Sequence, residues 1–179
     1  AAAAHGFDFL ARHYWQGPER GWAKTVTQEG RPLDTGADSY DQAFVLFAAA
    51  WHYRAFGEAR ALAIVRQTLD FLDRRLSDSE HGGLFEGLSE TGALLKGPPR
   101  LQNPHMHLCE AMLALYQASG DKAYLTRAAK LVEMFRTRFF DGASQTLGEV
   151  FARDWRPMPG PQGQIVEPGH HFEWSWILH

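Results

Sequence analysis

The chain holds a single cysteine, Cys109, among its 179 residues. One thiol excludes an internal disulfide and suits a reducing, cytoplasmic setting. No apolar run approaches the roughly 20 residues of a membrane span. Ala1 to Ala4 lacks the basic flank and long apolar stretch of a signal peptide. An excess of charge is missing too: 18 Lys and Arg against 21 Asp and Glu leave a formal net charge of −3. Without a basic run, neither nucleic acid nor an anionic membrane is an expected partner. What the chain does have is apolar material, 45% of residues, together with six Trp and nine His. That composition is ordinary for a soluble globular protein with a real core. The wealth of aromatics and histidines hints at a sugar or another small polar ligand.

Apolar spacing predicts helices at about 7–15, 40–56, 58–76, 104–119, 122–139 and from His170 onward. Asp38 and Ser39 are placed to cap the second of these, and Gly57 to stop it. Residues 21–33 read as a short hairpin or extended loop, while 77–99 and 141–169 are loops rich in Gly and Pro.

Two stretches carry chemistry. Arg100 to Ala111 reads Arg-Leu-Gln-Asn-Pro-His-Met-His-Leu-Cys-Glu-Ala, and Glu167 to Trp176 reads Glu-Pro-Gly-His-His-Phe-Glu-Trp-Ser-Trp. Both begin with helix-start signals, Asn103-Pro104 and Pro168-Gly169. Each then sets a His three residues before a Glu: His107 before Glu110, and His170 before Glu173. Positions i and i+3 share a helix face, so each Glu is placed to orient its own His and favour its protonated form.

The two motifs are copies at one offset, since 170 − 107 = 63 and 173 − 110 = 63. The same offset relates Gly57 to Gly120, Arg75 to Arg138, Asp78 to Asp141, Leu84 to Leu147 and Glu86 to Glu149. The unit is therefore helix, glycine turn, helix and long loop. Such a unit cannot bury its apolar faces alone, so copies must stack. We expect one domain over 1–179, a partial ring with units at about 39–101, 102–164 and a truncated 165–179. The last helix stops in mid-pattern at His179, so the expected ring continues beyond it. First helices should line an inner ring and second helices an outer one. Unit one carries Phe44 and Phe47 where later units carry His and Glu, which favours a functional over a structural reading of the motif.

These residues resemble the N-acylglucosamine 2-epimerase superfamily of sugar epimerases and isomerases, in its mannose isomerase-like branch. The resemblance rests on Gln102–Ala111, Glu167–Trp174 and, more weakly, Tyr40–Phe44. It implies an all-α fold, an (α/α)6 toroid of helical hairpins of which this chain would be the N-terminal half. It implies an isomerase acting at C1/C2 of an aldose or ketose without a metal or other cofactor. His170 would match one of a pair of acid/base histidines, oriented by Glu173, with its mate in the other half. His107 would match a pocket histidine for binding or ring opening, with Asn103 beside it on the rim. Some members carry Arg where this chain has Phe44. The expected partner is a small-molecule sugar, with homodimer formation left open. A non-catalytic carbohydrate-binding domain and a glycoside hydrolase or lyase on the same toroid are the alternatives.

Proton removal next to a sugar carbonyl needs a base of near-neutral pKa, which His supplies. Catalytic candidates are thus His170, Glu173 and His107. Substrate-binding candidates are Asn103, Glu110, Arg100, Tyr40, Gln42, His105 and Trp174. Of His105 and His107, roughly 200° apart on a helix, one should face the pocket. For the same reason a helical His-x-His is a poor chelate, and no metal site is expected. Arg100 either offers a cation to a sugar oxyanion or pairs with a loop carboxylate. Trp174 and Trp176 are core or pocket wall, His171 a supporting or surface residue, and Cys109 a packing residue. Glu86 and Glu149 read as structural loop anchors.

Overall fold

The computed structural model describes residues 2–97 and 99–179. Helix α1 (Ala2–His13) starts before the expected Phe7, because the alanines ahead of it are strong helix formers. Strands β1 (Thr25–Val26) and β2 (Pro32–Asp34) form the expected hairpin. Strand β3 (Ala37–Asp38) feeds α2 (Ser39–Phe56), whose first turn is capped by Asp38 accepting from the Asp41 N–H at 2.8 Å. Gly57, at φ 68°, ends α2 in the left-handed conformation that a side chain would resist.

Helix α3 (Ala59–Phe71) runs into a π-helical turn, Leu72–Leu76. Strand β4 (Gly87–Leu88) pairs with β3, and β5 (Arg100–Leu101) leads into α4 (Asn103–Ser119). Helix α5 (Lys122–Met134) again ends in a π-helical turn, Phe135–Phe139. Strands β6 (Phe140–Asp141) and β7 (Thr146–Leu147) pair with each other, and β8 (Val150–Phe151) pairs with β5. A short 3-10 turn, Pro161–Gln164, precedes α6 (Pro168–Leu178). No helix among the described residues is long and apolar enough to cross a membrane.

Helix α4 lies between α2 and α6, while α3 backs α2 and α5 backs α4. The first helix of each unit therefore forms one layer and the second helix another. Burial agrees: Pro104 to Cys109 are all buried in α4, whereas α5 buries only Ala128 and Leu131.

Each first helix is tied down by the same device, a loop N–H bonded to a side chain near the helix start. Trp22 N–H donates to Gln42 Oε1 at 3.0 Å, Leu84 N–H to His105 Nε2 at 2.9 Å, and Leu147 N–H to His171 Nε2 at 2.9 Å. The donors Leu84 and Leu147 keep the 63-residue offset, but the anchors His105 and His171 lie 171 − 105 = 66 apart. Three extra residues in the loop after β8 have advanced the register of α6.

Three candidate site residues are absorbed by this framework. Gln42 is buried with both amide atoms on Trp22, its Nε2 donating to the Trp22 carbonyl at 3.1 Å, so it does not line a pocket. His105 is buried between the Leu84 N–H and the Leu101 carbonyl, 3.0 Å from Nδ1. Since Nε2 accepts, Nδ1 carries the hydrogen, and neither nitrogen is left for a sugar or a metal. Burial pushes the His105 pKa down to about 4. Arg100 pairs with Asp78 at 2.8 Å, donates to the carbonyls of Leu84, Gly82 and Arg153, and lies 4.0 Å over the Trp155 ring. It braces the loops rather than meeting an oxyanion.

Two expectations follow. At Gly83, φ is +73° and an added Cβ would lie 2.8 Å from His105 Nε2, Met134 Cε and Trp155 Cζ2. Gly83→Ala should destabilise the full-length protein by about 1–3 kcal/mol, read as a lowered Tm. His105→Gln, which copies the Gln42 solution, should fold well at pH 7 and lose part of the parent's acid sensitivity. An ordinary His titrates near 6.5 when unfolded, against about 4 here. Above pH 6.5 both states are neutral. As pH falls toward 4, the unfolded state gains a proton that the fold refuses, and stability drops. Between pH 7 and 5 this amounts to about 2 kcal/mol. Glu86, pushed up to about 7 by burial, acts in the opposite sense but is common to both proteins. Urea unfolding at the two pH values should show the difference between parent and variant, and equal pH slopes would refute it.

Candidate functional site

The register advance decides which side chains meet. Two residues beyond the anchors Gln42, His105 and His171 stand Phe44, His107 and Glu173. They form a row across α2, α4 and α6. The His107 ring centroid is 4.6 Å from that of Phe44, and its Nδ1 is 3.4 Å from Glu173 Oε1. One turn along α4, Glu110 Oε2 lies 3.5 Å from the same nitrogen. Tyr40 meets the His107 ring edge-on at 5.1 Å. Tyr40, His107, Glu110 and Glu173, all expected at the site, are thus brought together.

Glu173 is not the partner of His170, contrary to the spacing argument. Because α6 is advanced by three residues, Glu173 matches the level of His107 rather than that of Glu110, and it turns to its neighbour across the helix interface. His170 sits one turn nearer the loops. Its Nδ1 is 2.9 Å from Glu149 Oε2 and 3.1 Å from Gln102 Nε2. Sequence reasoning missed Glu149 and Gln102 as site residues. The offset that relates Glu149 to Glu86 was visible, but it suggested equal roles. Glu86 does anchor a loop, accepting from the Leu101 N–H at 2.8 Å, whereas Glu149 faces a histidine.

The remaining candidates divide. Asn103 stands in the first turn of α4, one residue inside the cap position, which Gln102 occupies without a side-chain cap bond. Asn103 Oδ1 is buried with no hydrogen-bond partner among the described residues, so it is free to accept from a ligand. Trp174 is only 1% exposed; its Nε1–H donates to Gln102 Oε1 at 2.8 Å and its ring is 4.5 Å from Phe135. It is a core residue, not a sugar platform. Trp176 is 68% exposed and therefore not core. Cys109 is buried packing, its thiol pushed up to about 12 by burial.

The electrostatics favour proton sharing. Burial lowers the pKa of His107, Glu173 opposes that shift, and a charge on nearby His170 adds to it. Burial raises the pKa of Glu110. The base is weakened and the acid strengthened in its hold on a proton, which brings their affinities together. Ligand atoms of His107, Glu110 and Glu173 lie within 4.8 Å of one another, a grouping that suits a shared proton and is also compact enough for one cation.

Comparison with known proteins places this geometry. Residues 1–179 match the family described as N-acylglucosamine 2-epimerase (GlcNAc 2-epimerase). A mannose-6-phosphate isomerase of Rhizobium meliloti (strain 1021) is 37% identical over 182 residues, covering 99% of this chain and 45% of the relative. A D-mannose isomerase of Thermobifida fusca is 29% identical, covering 99% and 46%. The solved cellobiose 2-epimerase from Spirochaeta thermophila DSM 6192 superposes with a TM-score of 0.87 at 30% identity, covering 99% of this chain and 45% of that one. A glycoside hydrolase of family 76 from a Bacteroides thetaiotaomicron strain shares the fold alone, at 15% identity and a TM-score of 0.61. The chain thus spans about 45% of the length of its relatives, and its stacked helical hairpins are those of an (α/α)6 toroid. With its whole length inside the family match, the chain belongs to the N-acylglucosamine 2-epimerase family.

Proposed function

We propose that this chain supplies the proton-transfer half of a sugar isomerase or epimerase acting at C1/C2 of a mannose-type aldose or its ketose. The observation that carries this reading is the pair of histidines on adjacent helices, each held at Nδ1 by carboxylate. His170 has Glu149 at 2.9 Å, and His107 has Glu173 and Glu110 at 3.4 and 3.5 Å.

In this reading the sugar first opens. His107 and its two carboxylates move the proton from the anomeric hydroxyl toward the ring oxygen as the C1–O5 bond breaks. His170 Nε2 then takes the proton from the carbon next to the carbonyl. The electron pair of that C–H bond enters a cis-enediolate, whose oxygen needs a nearby donor. Tyr40, whose ring lies 5.1 Å from that of His107, carries a hydroxyl that can donate. Return of the proton to the neighbouring carbon, with the hydroxyl proton passing from one enediolate oxygen to the other as the new carbonyl forms, completes isomerisation. Return to the opposite face would give the 2-epimer and calls for a second acid/base, which the family resemblance assigns to a histidine outside these residues. A hydrolase would place two carboxylates across a cleft, whereas Glu110 and Glu173 share one nitrogen of one histidine.

Deuterium exchange tests the scheme in the full-length protein. In D2O, mannose or its ketose should gain deuterium at C1 or C2. His170→Ala should cut that exchange by on the order of 10²–10⁴-fold with little change in KM. Because Glu173 attends His107, Glu173→Gln should resemble His107→Ala: both should slow turnover of pyranose forms more than that of the open-chain fraction. Full exchange by His170→Ala would sink the mechanism. Activity lost to a chelator and restored by zinc would instead assign the His107 cluster to a metal.

A further inference from the structure

Glu149 precedes β8 and is 6% exposed. Its Oε1 is buried with no hydrogen-bond partner among the described residues. Its Oε2 has two, Gln102 Nε2 at 2.9 Å and His170 Nδ1 at 2.9 Å. In unit one the counterpart Glu86 uses its Oε1 for the Leu101 backbone. Glu149 has no such duty. A buried carboxylate with an idle oxygen is costly unless a strong donor or a cation stands against it, and here the titratable neighbour bonded to it is the His170 imidazole.

The proton positions follow from one donor-only group. The Trp174 indole can only donate, so the Gln102 atom at 2.8 Å is its oxygen, and the Gln102 Nε2–H₂ faces Glu149 and His170. A carboxylate can only accept. At 2.9 Å from Glu149 Oε2, His170 Nδ1 must carry a hydrogen, because two facing lone pairs would repel. Nε2 is then the unprotonated nitrogen. Among the described residues nothing hydrogen-bonds to it, and the His170 side chain is 22% exposed.

We propose that Glu149 is the positioning residue of the proton-transfer site. Held on His170 Nδ1 by Gln102, which Trp174 locks in turn, it presents Nε2 as the base. It also stabilises the imidazolium formed when Nε2 has taken the substrate's proton and the C–H electron pair has become the enediolate. The inference rests on the reading of His170 as the base, so its test includes a measurement that needs no turnover.

That measurement is the ¹⁵N spectrum of the His170 imidazole in the full-length protein, taken beside steady-state kinetics. The parent should show the Nδ1–H tautomer. Glu149→Ala removes the acceptor, so His170 should shift toward Nε2–H, with kcat down on the order of 10²–10⁴-fold and KM nearly unchanged. In Glu149→Gln, the Gln102 Nε2–H₂ selects the new amide's oxygen for its own acceptor. That oxygen can still accept from Nδ1–H, so the tautomer should persist while the loss of charge lowers kcat about 10–100-fold. A purely structural glutamate would instead lower Tm in both variants and leave tautomer and kcat alone, which would overturn the proposal. Should Glu149→Ala not fold, parental kcat in a folded Glu149→Gln would overturn it equally. If His170→Ala keeps full exchange while Glu149→Ala still shifts the tautomer, the base assignment fails and the positioning geometry stands.

Discussion

The fold turns on the satisfaction of three loop N–H groups, those of Trp22, Leu84 and Leu147. A buried amide without a partner costs on the order of 1–3 kcal/mol. A side chain at the head of each first helix accepts instead: Gln42, His105 and His171. All three side chains are short and have a donor beside the acceptor, so each bonds a loop N–H and a backbone carbonyl at once. Such a two-point attachment fixes the rotation of a helix about its axis as well as its height. Everything that faces the site does so because of where these anchors lie.

Much of this was legible in the sequence, and the misses share one cause. Helix ends were readable because Asp38, Gly57 and Gly120 act locally, through cap and left-handed geometry. The π-helical turns were not, since nothing in the apolar spacing of 58–76 or 122–139 distinguishes a widened last turn from a regular one. The row of Phe44, His107 and Glu173 was hidden for a different reason. The repeat is 63 residues long through the strands β4 and β8, but 66 at the anchors of α4 and α6. Two His-x-x-Glu motifs at an offset of 63 therefore look equivalent and are not. Arg100 and Trp174 failed as binding residues because burial in a crowded loop and core depends on residues far away in sequence, Asp78 and Gln102.

Desolvation and charge pull in opposite directions on His107, and burial is the larger effect. The imidazole is kept from holding its proton too firmly even though two carboxylates stand within 3.5 Å. Glu110 is moved the other way by the same burial. One cause thus tunes a base and its neighbouring acid toward each other. An exposed cluster with identical distances would lack this property, because water would screen both effects.

Duplication explains why the site sits between units two and three. Unit one contributes the aromatic wall of Tyr40 and Phe44, unit two His107 and Glu110, and α6 Glu173 and His170. In unit one, the residue that precedes the anchor is Asp41, raised to about 6 by burial and the nearby Asp38. In unit two it is Pro104, and on α6 it is His170. The loop glutamate of unit two therefore meets an imidazole, whereas Glu86, at the first junction, has Pro104 at that level and bonds the Leu101 N–H instead. Copies of one hairpin supplied the scaffold. A three-residue lengthening of one loop, and one His at the level of an acid and a proline, set a His–Glu pair at its second junction.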